Sequence, residues 1–284
     1  MEKTCFIYAL TPIHAGTGKG LGYIDMPIAR EKITGWPYIP GSSIKGVIRS
    51  HFDGDPDSVD AFNSAFGTSS GDDGVESGTA GRLVFTDAGI LCLPVRSFYG
   101  TFAWVTSPFC LDRFMKRSTG DYHIPNPGND HALITTTSAL NRGGAKIYLE
   151  ELDIEAEELE AVNDTARMIA DNVFAGNDDW HGIFMSRFAI VDDDIFTFLC
   201  DTGTEVNARI RIDDETGTAA QGALWYEEDL PAETILAGSV WCEEKSGILM
   251  GKYCNETLSL QLGGKASTGK GQARIIFGGV NDED

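Results

Sequence analysis

The sequence predicts an α+β protein that folds as one domain over residues 1–284. Three observations carry this. Five strand patterns crowd residues 205–279, the helical patterns all fall before residue 175, and 42% apolar content over 284 residues suffices for one substantial core with insertions.

At the N-terminus, "KTCFIYALTP" alternates as a strand does and is stopped by Pro12. The stretch "TPIHAGTGKGLGYIDMPIARE", Thr11 to Glu31, follows as a loop. Gly16, Gly18, Gly20 and Gly22 prevent a regular helix there and are expected to leave backbone N–H groups free for a polyanion lying close against them. In "PGSSIKGVIRSHF", Ser42 or Ser43 stands as a helix N-cap; Ile44, Val47 and Ile48 share one face, and Lys45 and Arg49 share another at i and i+4. "SVDAFNSAF" extends the helical region, and "GTSSGDDGVESGTAG" reads as a loop. "RLVFTDAGILCLPV" and "GTFAWVT" read as strands, and "SPFCLDRFMKR" as a helix capped by Ser107. "EAEELEAVNDTARMIADNVF" is the longest helical pattern, and its acidic first turn complements the helix dipole. The strands "EVNARIRID", "GALWYEE", "TILAGSVWCEE", "LSLQLGG" and "QARIIFGG" follow. The turn signal "DDETGTA" joins the first two, so residues 204–228 are expected to form a long projecting hairpin.

A formal net charge of −21 argues, taken alone, against nucleic acid. Its distribution argues the other way. Residues 1–50 carry six Lys/Arg against three acids, residues 82–117 five against two, and residues 245–275 five against one. The acidic runs "EELDIEAEELEAVND" and "VDDDIF" read as a solvated face, whereas the basic segments coincide with the glycine-rich ones, as a phosphate-binding track requires. The six cysteines are scattered, with no C-x-x-C pair, so they read as small apolar residues of a reducing cytoplasm rather than a zinc site. No segment reaches the ~18 apolar residues of a membrane span and no cleavage site follows the first apolar run, so a soluble, unexported protein is expected.

"GGKASTGKG" contains G-x-x-x-x-G-K from Gly264 to Lys270, nearly a Walker A sequence. That motif needs Ser or Thr next, to hold magnesium, and a helix after it. Here Gly271 follows and "QARIIFGG" is a strand pattern, so the segment reads as a glycine loop between strands, with Lys265 and Lys270 free to meet phosphates.

Four ordered blocks carry a resemblance: "YIDMPIARE" with "GWPYIPGSSIKGVIR", "LVFTDAGILCLPVRSFYGTFAWVTSP", "GALWYEEDLPAET" and "LGGKASTGKG". Together they resemble the RAMP superfamily of CRISPR proteins, and within it the repeated backbone subunit of the type III-B (Cmr) RNA-targeting effector complex. The resemblance implies a ferredoxin-like, RRM-related palm with insertions and a β-hairpin thumb at about 204–228. It implies copies stacked in a helical filament along a CRISPR guide RNA, with single-stranded target RNA and other type III-B subunits as partners, in the cytoplasm and away from any membrane. It places Ser42, Ser43, Lys45 and Arg49 on the guide backbone, with Lys265 and Lys270 beside them. Arg96 and Ser97 stand as a further backbone contact, a structural arginine being the equal alternative there.

Asp25 by itself reads as the cap of a turn among glycines. The resemblance makes it the aspartate required for cutting target RNA, either holding a transient divalent metal (Mg or Mn) or helping to activate the adjacent 2′-OH, with a 2′,3′-cyclic phosphate as product. His14 is open to three readings: general acid, RNA contact or packed imidazole. Tyr226 and Glu227 are further catalytic candidates, expected to reach the same phosphate from the neighbouring subunit's thumb, with Trp225 as a packing anchor. The competing reading is a guide-binding scaffold whose cutting is done by another subunit. Asp25 separates the two, since a pure scaffold has no need of it.

Overall fold

The computed structural model describes residues 1–18, 20, 22–54, 59–68, 78–116, 123–212 and 217–278. Strand β1 (Glu2–Ala9) forms where the alternation predicts it, and Cys5 to Ala9 are all buried. The run is apolar on both faces because both are covered: Phe6 and Tyr8 enter one core, and Cys5, Ile7 and Ala9 the other.

Past the glycine-rich loop, β2 (Tyr38–Ile39) leads into α1 (Gly41–Phe52) and α2 (Val59–Phe66), which cover the second core with Ile44, Ile48, Phe62 and Phe66. The serine cap expected for α1 is not formed. Ser42 and Ser43 are exposed and lie inside the helix, and the Gly41 N–H donates to Asp87 Oδ1 at 2.8 Å. Asp87 sits between β3 (Val84–Phe85) and β4 (Ala88–Arg96), so a carboxylate distant in sequence satisfies the open helix end. Strand β5 (Phe102–Thr106) returns antiparallel to β4 and enters α3 (Pro108–Met115), where Ser107 Oγ accepts the Cys110 N–H, as the sequence predicts.

The helix expected over 155–174 is shorter. Strands β6 (His131–Ile134), β7 (Lys146–Leu149) and β8 (Leu152–Glu158) come first, and α4 (Glu160–Val173) starts only after them. Glu155 to Glu158 pair with β6, and Leu152 to Glu155 pair with β7, so two ladders override the local helix preference. Of the acidic first turn only Glu160 remains, with Leu159 as an uncapped N-cap. Helix α5 (Asp178–Arg187), strand β9 (Phe188–Val191) and helix α6 (Asp193–Thr202) complete the first core. They are short, and α5 has Phe184 as its sole buried side chain, which leaves no apolar stripe to read.

The expected hairpin forms from β10 (Glu205–Ile212) and β11 (Ala219–Asp229), pairing Glu205 with Asp229 through to Ile210 with Leu224. Its turn signal falls mostly on residues 213–216, and the loop "GTSSGDDGVESGTAG" mostly on 69–77; both lie outside the described residues. Strand β12 (Ile235–Trp241), helix α7 (Gly247–Tyr253), and strands β13 (Leu258–Gln261) and β14 (Gln272–Gly278) follow.

Among the described residues, twelve strands form one mixed sheet, ordered β13-β14-β1-β12-β4-β5-β9-β6-β8-β7, with β2 on β4 and β3 on β12. Pairing is antiparallel except for β5–β9 and β6–β8. The β10–β11 hairpin stands apart from this sheet. All six cysteines are buried and unpaired, and burial pushes the Cys110 thiol up to about 12. Among the described residues no helix is long and apolar enough to cross a membrane.

Candidate functional site

The glycine-rich loop is pinned as a ribbon: the Thr17 N–H donates to the Pro27 carbonyl and Ala29 to Ala15. Of the glycines expected to leave their N–H groups free, Gly20 instead donates to the Asp25 carbonyl. The returning arm of the ribbon is stitched to the base of β11. The Met26 N–H donates to the Tyr226 carbonyl at 3.1 Å, and Glu228 N–H to the Met26 carbonyl at 3.0 Å. Asp25 is exposed, and its Oδ2 accepts the Tyr226 N–H at 2.8 Å. Tyr226 and Glu227 therefore stand beside Asp25 of their own chain.

Three consecutive acids end β11, and all are buried: Glu227, Glu228 and Asp229. Strand alternation sends the first and third to one face and the second to the other. Glu227 is held by Lys265 Nζ at 2.7 Å, Trp225 Nε1 at 2.7 Å and Arg209 Nε at 3.3 Å. Burial pushes its carboxyl up, but the Lys265 and Trp225 hydrogen bonds and the Lys265 and Arg209 charges outweigh it and hold it at about 2. Glu228 is held by Arg30 at 2.6 Å, Thr204 at 2.9 Å and the Ile28 N–H at 3.1 Å. Asp229 pairs through Oδ2 with Lys270. Buried charges in such a row require one cation each, and the two glycine loops and β10 provide them.

His14 is buried at the mouth of the same arrangement, with Nδ1 2.8 Å from the Glu228 carbonyl. A cavity of about 240 Å³ opens beside it, lined by His14, Gly16, Met26, Ser43, Gly263 and Gly264 among others. The C-terminal glycine loop lies close because it has no side chain there: Gly263 has φ +76°, and a Cβ on it would stand 2.3 Å from the His14 carbonyl oxygen. The "GGKASTGKG" segment does connect two strands, β13 and β14, as the Walker-like pattern without its helix predicts.

The predicted phosphate contacts are only partly brought together. Ser43 reaches the cavity, and Ser42 is exposed beside it. Lys45 and Arg49 lie roughly 200° and 240° around the helix from Ser43. Lys45 Nζ donates to the Leu83 carbonyl at 2.9 Å, and Arg49 lies 5.6 Å over the Phe62 ring, so both face away from the cavity. Burial and then the Arg49 charge lower the Lys45 pKa. Lys265 and Lys270 are not free cations, because each is paired with a buried carboxylate. Arg96, 72% exposed with Glu150 at 3.5 Å, lies at the far end of β4 from Ala88, which pairs with β2 just before α1. Eight strand steps, about 26 Å, separate the two ends.

Sequence reasoning missed Arg30, Arg209, Glu228 and Asp229. The signal available was "YEED" itself, since three acids running into an apolar segment demand buried partners. Among the described residues no group of three or more His, Cys, Asp or Glu is placed to hold a metal. Asp25 Oδ2 accepts the Tyr226 N–H, so a cation at Asp25 would draw its remaining ligands from substrate oxygens and water.

Comparison with known proteins gives the family of this chain. Residues 6–274 match the family model of the RAMP superfamily. The chain is 35% identical over 292 residues to the CRISPR system Cmr endoribonuclease Cmr4 of Pyrococcus furiosus, covering 95% of this chain and 94% of the relative. The crystal structure of oligomeric Cmr4 from Pyrococcus furiosus aligns with a TM-score of 0.76 at 26% identity over 99% of both chains. A chain of the type III-B Cmr-beta complex, determined bound to cognate target RNA, shares the fold at a TM-score of 0.75 and 22% identity, covering 98% of this chain and 97% of that one. With its sequence matched over almost its whole length and its fold shared, this chain belongs to the RAMP superfamily and, within it, to the family of the Cmr4 endoribonucleases.

Proposed function

We propose that this chain is the guide-RNA-binding backbone subunit of a cytoplasmic type III-B CRISPR complex, and that it cleaves paired target RNA at regular intervals. The observation that carries the reading is the Asp25 carboxylate, exposed yet fixed to the Tyr226 N–H beside the His14 cavity, in a chain 35% identical to a Cmr endoribonuclease. Under this reading the main sheet with α1 is the ferredoxin-like palm and the β10–β11 hairpin is the thumb. Val206, Ile210, Leu224 and Tyr226 leave one hairpin face between 41% and 57% exposed, which suits a wedge against a duplex or another copy.

The guide backbone is assigned to the cavity rim at Ser42 and Ser43. Lys45 and Arg49, on the opposite side of α1, serve a separate stretch of phosphate. Lys265 and Lys270 act through the carboxylates they hold, and Arg96 contacts RNA at a distance from this site.

In the proposed reaction the 2′-oxygen attacks the adjacent phosphorus in line and the P–O5′ bond breaks. Asp25 accepts the 2′-OH proton, directly or through water, and the departing 5′-oxygen takes a proton from His14 Nε2. The products are a 2′,3′-cyclic phosphate and a 5′-hydroxyl. Tyr226 holds Asp25 through its backbone N–H. Glu227, at about 2, is too weak a base for proton transfer and instead fixes Lys265. A magnesium or manganese ion shared transiently by Asp25 and substrate oxygens would supply neutralisation of phosphate charge.

The test is cleavage of end-labelled target RNA by the assembled complex. Evenly spaced cuts with cyclic-phosphate ends, lost on chelation and restored by magnesium or manganese, are expected. A target that is bound but left intact would return the scaffold reading.

A further inference from the structure

Asp229 holds a position that no contact seen so far accounts for. It is fully buried, and one oxygen, Oδ2, pairs with Lys270. The other, Oδ1, has no hydrogen-bond partner and lies 3.5 Å from His14 Nδ1. Holding Lys270 needs one oxygen; a second left without a partner in the interior is costly unless it faces positive charge.

His14 is in the orientation to provide that charge. Its Nδ1 lies 2.8 Å from the Glu228 carbonyl, and a carbonyl only accepts, so Nδ1 carries hydrogen in both protonation states. The proton that comes and goes is therefore on Nε2. Among the described residues Nε2 makes no hydrogen bond; it packs against Gly16, where a Cβ would stand 2.5 Å away, and the ring lines the cavity. The surrounding charges are already matched: Glu227 by Lys265 and Arg209, Glu228 by Arg30, and Oδ2 of Asp229 by Lys270. Glu205, whose carboxyl is pushed up by burial and then by Asp229, is the nearby acid opposite on β10, and Asn207 lies 3.5 Å from Asp229.

We infer that Asp229 is a positioning residue for His14: its Oδ1 faces the Nδ1 side that the Glu228 carbonyl holds inward and stabilises the imidazolium, so that Nε2 presents a proton to the departing 5′-oxygen. This rests on the proposed RNA cleavage. In the step the Nε2–H bond breaks, its proton joins the 5′-oxygen freed from phosphorus, and His14 is left neutral with hydrogen on Nδ1. Asp229 neither gains nor loses a proton in this step.

The experiment uses Asp229→Asn, Lys270→Met and the double variant, each assembled with guide and target RNA. Asp229→Asn alone strands a buried lysine, so loss of folding there is an expected complication that the double variant removes. In the double variant, guide binding and melting temperature are expected near wild type, with cleavage down about tenfold to a hundredfold. Cleavage at the wild-type rate would overturn the proposal and leave Asp229 as a partner of Lys270 only. Ring-nitrogen NMR of His14 in the full chain reads the same device without catalysis. In the double variant the His14 ring-nitrogen resonances are expected to shift, because the ring loses the carboxylate facing Nδ1, and unchanged resonances would overturn it. His14→Ala is the third arm: undiminished cleavage would overturn the proton-donor role, while the NMR arm still reads whether Asp229 acts on the ring.

Discussion

The Asp25 carboxylate accepts the Tyr226 backbone N–H at 2.8 Å, which joins the glycine-rich loop to the hairpin base within one chain. Because the bond is to a backbone N–H, any residue but proline at 226 preserves it, and the position of the candidate catalytic oxygen depends on hairpin geometry rather than on the phenol.

Asp25→Asn keeps an oxygen that can accept the Tyr226 N–H while removing the charge. Stability is expected to change by no more than about 0.5 kcal/mol, as for exposed substitutions, and guide binding to persist. Cleavage at every regularly spaced site is expected to disappear. Gel analysis of labelled target with magnesium or manganese decides it, and retained cutting would remove Asp25 from the reaction.

Gly16→Ala and Gly263→Ala separate chemistry from folding. At Gly16 the backbone tolerates a side chain but the new Cβ meets His14 Nε2, so the ring must shift and cleavage is expected to fall with modest loss of stability. At Gly263 the positive φ and a backbone clash add strain of about 1–3 kcal/mol, so melting temperature falls as well. Thermal melts run beside cleavage assays would show whether the two variants part in this way.

Lys270→Ala leaves the Asp229 charge buried without its cation, for which about 3–5 kcal/mol of destabilisation is expected. Ser43→Glu, on the cavity face, is expected instead to weaken guide binding for every guide sequence, more than Arg49→Glu does on the far face. Binding measured across a salt series checks this, since affinity held by phosphate contacts falls steadily as salt rises. Equal effects of the Ser43 and Arg49 changes would contradict the assignment of the cavity to the guide.

Glu227 makes the hairpin base sensitive to acid. Its folded carboxyl sits at about 2 against an ordinary value of 4.5, so its contribution to stability is present above pH 4.5 and lost as pH falls toward 2. In Glu227→Gln that contribution is absent at neutral pH already, so the variant is expected to be less stable than wild type at pH 7 and to lose less on acidification. Denaturant unfolding at pH 7 and at pH 3 would reveal it; parallel losses in both proteins would refute the assignment.

Much of the frame is legible in residue order alone. β1, α3 with its Ser107 cap, the β10–β11 hairpin and the strand–glycine loop–strand segment at 258–278 follow from alternation, caps and turn residues, which act over a few neighbours. Asp25 was singled out by the block "YIDMPIARE", whereas His14 stood outside it and its residue order left its role open. What residue order could not decide is what depends on partners far along the chain. Glu155 to Glu158 became strand because they pair with β6, at the end of a strand whose start pairs with β7, and α1 took its cap from Asp87 rather than from its own serines. Lys265 and Lys270, free cations by sequence, became the partners of Glu227 and Asp229, 38 and 41 residues away. Local pattern fixes which residues face which side of a helix or strand; charge pairing and burial depend on separations in space, and those exist only once the two glycine loops close on the end of β11.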